Sequence, residues 1–139
     1  TAMDRDKTII FEKFAKKAAK KMEERKKHRK ENLIIGGDED MVMEIRGLSD
    51  TELNDCFEFS EEAIEVDRYT IYMASSTLQN AAECLVKEGK LNAGQAYKIT
   101  EMFSSVERNY IVRKILALSG ASGDADIAVI QEGEEIKNS

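Results

Sequence analysis

Proline and tryptophan are absent from this chain, histidine occurs once and cysteine twice. Each shortage excludes something. Without proline, no residue removes a backbone donor or forces a helix to stop, so long helices are permitted throughout. His28 lies inside a basic run with no carboxylate in clear reach to orient it, which leaves no nucleophilic relay. No second Cys or His stands at ligand spacing from Cys56 or Cys84, so no metal site is expected, and the two read as reduced thiols on helices. No P-loop and no GxGxxG occur. Acid pairs such as Glu61/Glu62 and Glu134/Glu135 are frequent, but nothing sets two carboxylates across a cleft. A non-enzymatic protein without a cofactor is expected. No apolar run approaches the roughly eighteen residues that span a bilayer. The N-terminus is polar and then basic without an apolar block, so neither a membrane segment nor a signal peptide is expected, and the cytoplasm is the expected location.

What is present is charge, unevenly divided. The net charge is −6, yet Lys7 to Glu31 holds 11 Lys/Arg against 4 Glu, or +7. Asn32 to Ser139 holds 9 Lys/Arg against 21 Asp/Glu, or −12, and residues 1–6 add −1. A basic arm on an acidic body either folds back on that body or binds an anionic partner, a neighbouring copy of the chain included. At 139 residues there is room for one core. The division read from the sequence is a basic helical arm over residues 1–31, a hairpin and helical core over 32–122, and a flexible acidic tail over 123–139.

The fold class follows from periodicity. Residues 8–31 read as a helix with a seam of Phe11, Phe14, Ala15, Ala18 and Met22, and with Lys13, Lys16, Lys17, Lys20 and Lys21 over the remaining surface. From Glu23 to Lys30 the chain is almost wholly charged and the seam ends. Leu33–Ile35, the turn Gly36-Gly37-Asp38-Glu39-Asp40 and Met41–Arg46 fit a two-stranded hairpin. Val42, Glu44 and Arg46 fall on one face, and Met41, Met43 and Ile45 on the other. The acids of the turn lack the alternating ligands and terminal Glu of an EF-hand loop, so the turn reads as solvated. Ser49, with Glu52 three residues on, starts a helix whose inner face is Leu53, Cys56 and Phe57. Val66–Glu88 reads as one long helix ending at Gly89, with Tyr69 and Tyr72 as half-buried aromatics, and Ala93–Phe103 as a short one. Asp126–Ile130 is strand-prone and Gln131–Ser139 polar and frayed. A mainly α protein of about five helices, with a small hairpin after the first, is expected.

The best-specified element is Ser104–Gly120. Ser104 and Glu107 form a capping box, Ile111, Val112, Ile115 and Leu118 a stripe, and Gly120 a left-handed stop. Arg108 sits on the stripe and needs a partner from another segment, with Asp67 or Glu101 as first candidates, so its expected role is structural. Ser104, Glu107 and Gly120 share that role.

Several motifs in a fixed order carry a resemblance. They are Lys20-Lys21-Met22-Glu23-Glu24-Arg25-Lys26-Lys27, then Arg46-Gly47-Leu48-Ser49-Asp50-Thr51-Glu52, then Glu65-Val66-Asp67-Arg68-Tyr69-Thr70-Ile71-Tyr72-Met73-Ala74 and Leu78-Gln79-Asn80. Met102-Phe103-Ser104, Glu107-Arg108-Asn109 and Ile115-Leu116-Ala117-Leu118-Ser119-Gly120 close the series. Over roughly residues 12–138 the chain resembles the XkdN-like tail assembly chaperones of long-tailed phages and prophages of Gram-positive bacteria. The resemblance implies a chaperone that coats the helical tape-measure protein before the tail tube polymerises, works in the host cytoplasm and is absent from the mature virion. Tail tube subunits are a further implied partner. The residues are compatible with such a role, because an amphipathic client needs an apolar surface with a solubilising rim, and methionines suit adaptable surfaces. Phe11, Phe14, Met22, Lys16, Lys20, Met41 and Met43 are the candidate partner-binding residues, self-association among the possible contacts. The rival reading is a small nucleic-acid-binding regulator that places Lys13–Lys30 on phosphates. The acidic body and the lack of interleaved aromatics after Phe14 stand against it, so no nucleic-acid partner is expected.

Overall fold

Helical periodicity and turn chemistry together account for most of the element boundaries. The computed structural model describes residues 2–121 and 123–130. In chain order these form α1 (Ala2–Lys26), a hairpin of β1 (Lys30–Ile34) and β2 (Val42–Arg46), α2 (Asp50–Glu58), α3 (Ala63–Met73), α4 (Ser76–Lys87), a 3-10 segment (Ala93–Met102) and α5 (Ser105–Leu118). The protein is thus mainly helical with a two-stranded antiparallel hairpin after the first helix, as its sequence pattern indicates.

The first helix stops at Lys26 rather than Glu31. Its charged end has no seam to continue on, and strand pairing takes over. Lys30 pairs with Arg46 and Leu33 with Met43, while Gly47 N–H donates to the Arg29 carbonyl at 2.8 Å. The arm boundary therefore falls inside β1. The hairpin turn uses the positive φ of Gly36 and Gly37, and Ile35 N–H closes it on the Met41 carbonyl at 2.9 Å. β2 supplies the fully buried side chains, Met43 and Ile45, which are 3% and 0% exposed, and Leu33 of β1 packs half-buried against the same core. Met41 lies outside the strand, at the exposed turn, so it does not share their inner face.

The expected single helix over Val66–Glu88 is two helices, and the first of them begins earlier, at Ala63. They part at Ala74–Ser75, where no Gly or Pro marks a break. Ser75 is extended and caps α4, its hydroxyl accepting from Leu78 N–H at 3.2 Å. The Ala74 carbonyl accepts from Arg46 N–H at 2.9 Å, and Thr77 Oγ1 accepts from Glu44 N–H at 3.1 Å. The corner between α3 and α4 thus satisfies the outer edge of β2, a tertiary need that overrides helix propensity. The short helix over Ala93–Phe103 is also different. It is 3-10 in type, with a kink at Gln95, and opens on the Asn92 side chain accepting from Gly94 N–H at 2.9 Å.

On α2 the inner face is Leu53 and Cys56, while Phe57 is exposed. Phe59, just past the helix, takes the aromatic role. It stacks on Tyr69 at 4.1 Å with Tyr97 edge-on. Tyr69 and Tyr72 are half-buried, as read. Cys56 is buried, which pushes its thiol pKa up, and Cys84 is exposed; both are free.

α5 is the helix that the sequence describes best. Ser104 Oγ accepts from Glu107 N–H at 3.2 Å and Ser104 N–H donates to Glu107 Oε1 at 2.9 Å. Ile111 and Ile115 are fully buried among Ile45, Ile71 and Phe103. At the far end Gly120, at φ 71°, donates to the Ala117 carbonyl and Ala121 to the Leu116 carbonyl. That pair of bonds is the Schellman stop. Residues 123–130 form no strand despite their β-prone run, and Ile127 and Val129 are exposed. The polar end, Gln131–Ser139, lies outside the described residues.

Candidate interaction surface

The surface begins with α1, because among the described residues no other element packs along this helix. At about 1.5 Å per residue its 25 residues extend roughly 37 Å. Among the described residues, those from Asp6 to Lys26 are all exposed except Ala18, which is partly buried. Ala, Lys and Glu give it propensity, yet a helix that hides no apolar face lacks the packing from which most helical stability in proteins comes. Phe11 is 69% exposed, Phe14 75% and Met22 63%. These three fall on one stripe with Ala15 and Ala18, and Lys16 and Lys20 fall on the opposite side. The structure therefore brings Phe11, Phe14 and Met22 together as one solvated seam backed by lysine.

Arg25 moors the end of the helix. Arg25 Nη1 donates to the Ser119 carbonyl at 3.2 Å, and Nη2 reaches Asp50 Oδ1 at 3.3 Å. Arg25 thus ties the end of α1 to the last turn of α5 and the first of α2. The same corner requires two glycines. A Cβ on Gly47 would stand 2.5 Å from the Leu118 carbonyl oxygen, and one on Gly120 would stand 2.8 Å from Arg25 Nη1. Leu48 N–H donates to Ser119 Oγ at 2.8 Å, and that hydroxyl donates in turn to the Ile115 carbonyl at 2.6 Å. Together these bonds fix where α1 leaves the body.

The body offers a second exposed apolar surface, which the sequence pattern did not disclose. A groove of about 550 Å³ runs between β1 and α5, with Leu33, Ile34 and Ile35 on one wall and Val106, Tyr110 and Ile111 on the other. Ile34 is 60% exposed and Val106 76%. At one end lies Gly36, followed in the turn by Asp38, Glu39 and Asp40. Glu107 lines the opposite wall. Lys114 holds Glu31 at 3.6 Å and lies over the Tyr110 ring at 5.9 Å. The groove's residues come from segments some seventy positions apart, so no local signal reveals them.

Of the remaining candidates, Met41 is exposed at the hairpin turn and Met43 is core. Met43 is corrected on that account: β2 alternates, and its inward side chains pack on the helices rather than meet a partner.

Among the described residues, two arginine–carboxylate pairs join different elements of the body, and they differ. Arg46 grips Glu52 with both nitrogens, at 3.0 and 2.6 Å, while Glu52 Oε1 also accepts from Ser49 N–H at 3.1 Å. The Arg46 hydrogen bonds lower the Glu52 pKa to about 2, and Arg46 is raised in turn. Arg108 does pair with Asp67, but at 3.9 Å from Nε, too far for a hydrogen bond, and that buried Nε has no other partner. Burial raises the Asp67 pKa despite the nearby guanidinium. Both pairs join elements of the body, and neither faces the groove or the α1 seam.

No helix among the described residues is long and apolar enough to cross a membrane. Among the same residues no group of three or more His, Cys, Asp or Glu is placed to hold a metal ion. No protein-family model matches this chain, and neither a curated protein nor a solved structure is significantly similar to it.

Proposed function

We propose that this protein is a tail assembly chaperone of a long-tailed phage or prophage, which binds the tape-measure protein and keeps it soluble in the host cytoplasm while the tail tube assembles. The observation that carries the reading is α1, a helix of 25 residues whose Phe11, Phe14 and Met22 seam is solvated under a lysine sleeve. A long amphipathic client needs such a surface, with apolar anchors at helical spacing and a charged back that keeps the complex in solution. The order of motifs from Lys20 to Gly120 supports the same family. In this role the chain performs no catalysis, tail tube subunits are its secondary partners, and it leaves before the virion matures.

Co-expression with a phage tape-measure protein tests the proposal. The expected result is a soluble tape measure that co-purifies with the chain. A tape measure that stays insoluble and unbound overturns it. The five exposed lysines from Lys13 to Lys21 support a second reading, phosphate binding on nucleic acid. A gel shift that weakens steeply with salt would favour that reading over the chaperone.

A further inference from the structure

We infer that α1 of one copy docks its apolar seam into the groove between β1 and α5 of a second copy, so that the protein self-associates head to tail. Each half of the contact is present in every chain and is left open by the described residues. Among them, Phe11, Phe14 and Met22 are 69%, 75% and 63% exposed, and no element packs closely on their helix. The groove between Ile34 and Tyr110 is open. A helix of about 10 Å diameter with side chains is the kind of element that fills an open apolar groove.

Charge selects the pairing. α1 carries nine Lys/Arg against five Asp/Glu, or +4, and the rest of the chain 12 against 22, or −10. Two α1 helices seam to seam would bring like charge together, with Lys17 and Lys21 bordering the stripe. The body groove instead has Glu107 on one wall and Asp38, Glu39 and Asp40 following its Gly36 end. A lysine-bordered helix over an apolar groove that Glu107 lines, on a body of net negative charge, is complementary in both respects.

In this structure α1 does not occupy the groove of its own chain: Phe11 and Phe14 are 69% and 75% exposed, and among the described residues α1 packs closely on neither β1 nor α5. The seam and the groove are both left uncovered, so the occupant is a neighbour's helix. Such a contact is heterologous, and it either closes reciprocally or extends along a chain of copies. The inference does not rest on the chaperone reading, since it concerns the protein without a client. A client using either surface would compete with the neighbour.

The test is complementation of two variants followed by light scattering on a sizing column. The full chain is expected above its monomer mass of 15.7 kDa at low salt, falling toward it as salt rises. Phe11→Asp/Phe14→Asp, which removes the seam, and Val106→Asp, which blocks the groove, are each expected to run as monomers. Ile34→Lys serves as a second groove variant, and circular dichroism checks that each still folds. Mixed together, the seam variant keeps an intact groove and the groove variant an intact seam, so the mixture is expected to recover a species of twice the monomer mass. A monomeric full chain overturns the inference. So does a groove variant that stays associated, as α1–α1 pairing would give, or a mixture that stays monomeric.

Discussion

α1 and α5 are both helices with an apolar stripe at helical spacing, yet one stripe is solvated and the other is the core. Phe14 is 75% exposed and Ile115 0%. The difference lies outside either helix. α5 is flanked by β2 and α3, which close over Ile111 and Ile115, and among the described residues α1 has no such neighbour. A stripe in a sequence therefore reports amphipathicity, and only the rest of the fold decides whether something in the same chain covers it. An uncovered stripe is the more informative one about partners, because burial would explain it away.

The sharpest way to break that comparison is truncation on each stripe. Ile115→Ala leaves a cavity in a closed core and is expected to cost about 3 kcal/mol. Phe14→Ala removes a larger side chain but, in the isolated monomer, is expected to change stability by no more than about 0.5 kcal/mol. Urea unfolding at low protein concentration measures both. Similar losses would show that α1 packs on its own body after all. Gly47→Ala is next in size. Its Cβ would press on the Leu118 carbonyl, backbone that cannot turn away, and a loss of about 2 kcal/mol is expected. The capping box gives a smaller effect. Ser104→Ala is expected to cost about 1 kcal/mol in the same unfolding curves, because it unpairs the Glu107 N–H at the head of α5.

Much of this fold is legible because its signals are local. The Ser49 and Ser104 boxes, the Gly89 and Gly120 stops and the alternation that sets Met43 and Ile45 on one face follow from spacing alone, but the direction of that face does not, since Met43, read as a partner contact, is core. The Ala74–Ser75 break is not legible, since its cause is an unpaired N–H on Arg46, about thirty residues earlier. Nor is the exposure of Phe57, where Phe59 finds Tyr69 instead. The α1 seam could be read, but its lack of cover could not. The groove could not be read at all, because Ile34 and Tyr110 meet only once the hairpin lies beside α5.

The most discriminating effects come from the arginines. Each helix carries one in line with its stripe: Arg25 on α1 tethers to other elements, and Arg108 on α5 sits beside Asp67. Arg46 and Glu52 supply the reference for a well-made pair. Glu52 is held below its ordinary value, so its contribution is complete above about pH 4.5 and is lost as pH falls toward about 2. Glu52→Gln should therefore cost about 2 kcal/mol at neutral pH, allowing for partial exposure, and flatten the acid limb. Asp67 has the opposite sign. Its pKa is raised, so the folded state holds its proton more tightly than the unfolded one, and stability from this group grows as pH falls through the folded pKa. At neutral pH its charge is penalised by burial while Arg108 gains no hydrogen bond from it. Asp67→Asn relieves one buried charge and leaves the other without a counter-ion, so a net change within about 0.5 kcal/mol is expected at neutral pH, turning less favourable in acid. Paired unfolding curves across pH would decide it. A loss at neutral pH as large as that of Glu52→Gln would mean that Asp67 and Arg108 form a real hydrogen-bonded pair. The stripe of α5 would then be closed by a strong ion pair rather than by Ile111 and Ile115, and the contrast with α1 would rest on charge instead of cover.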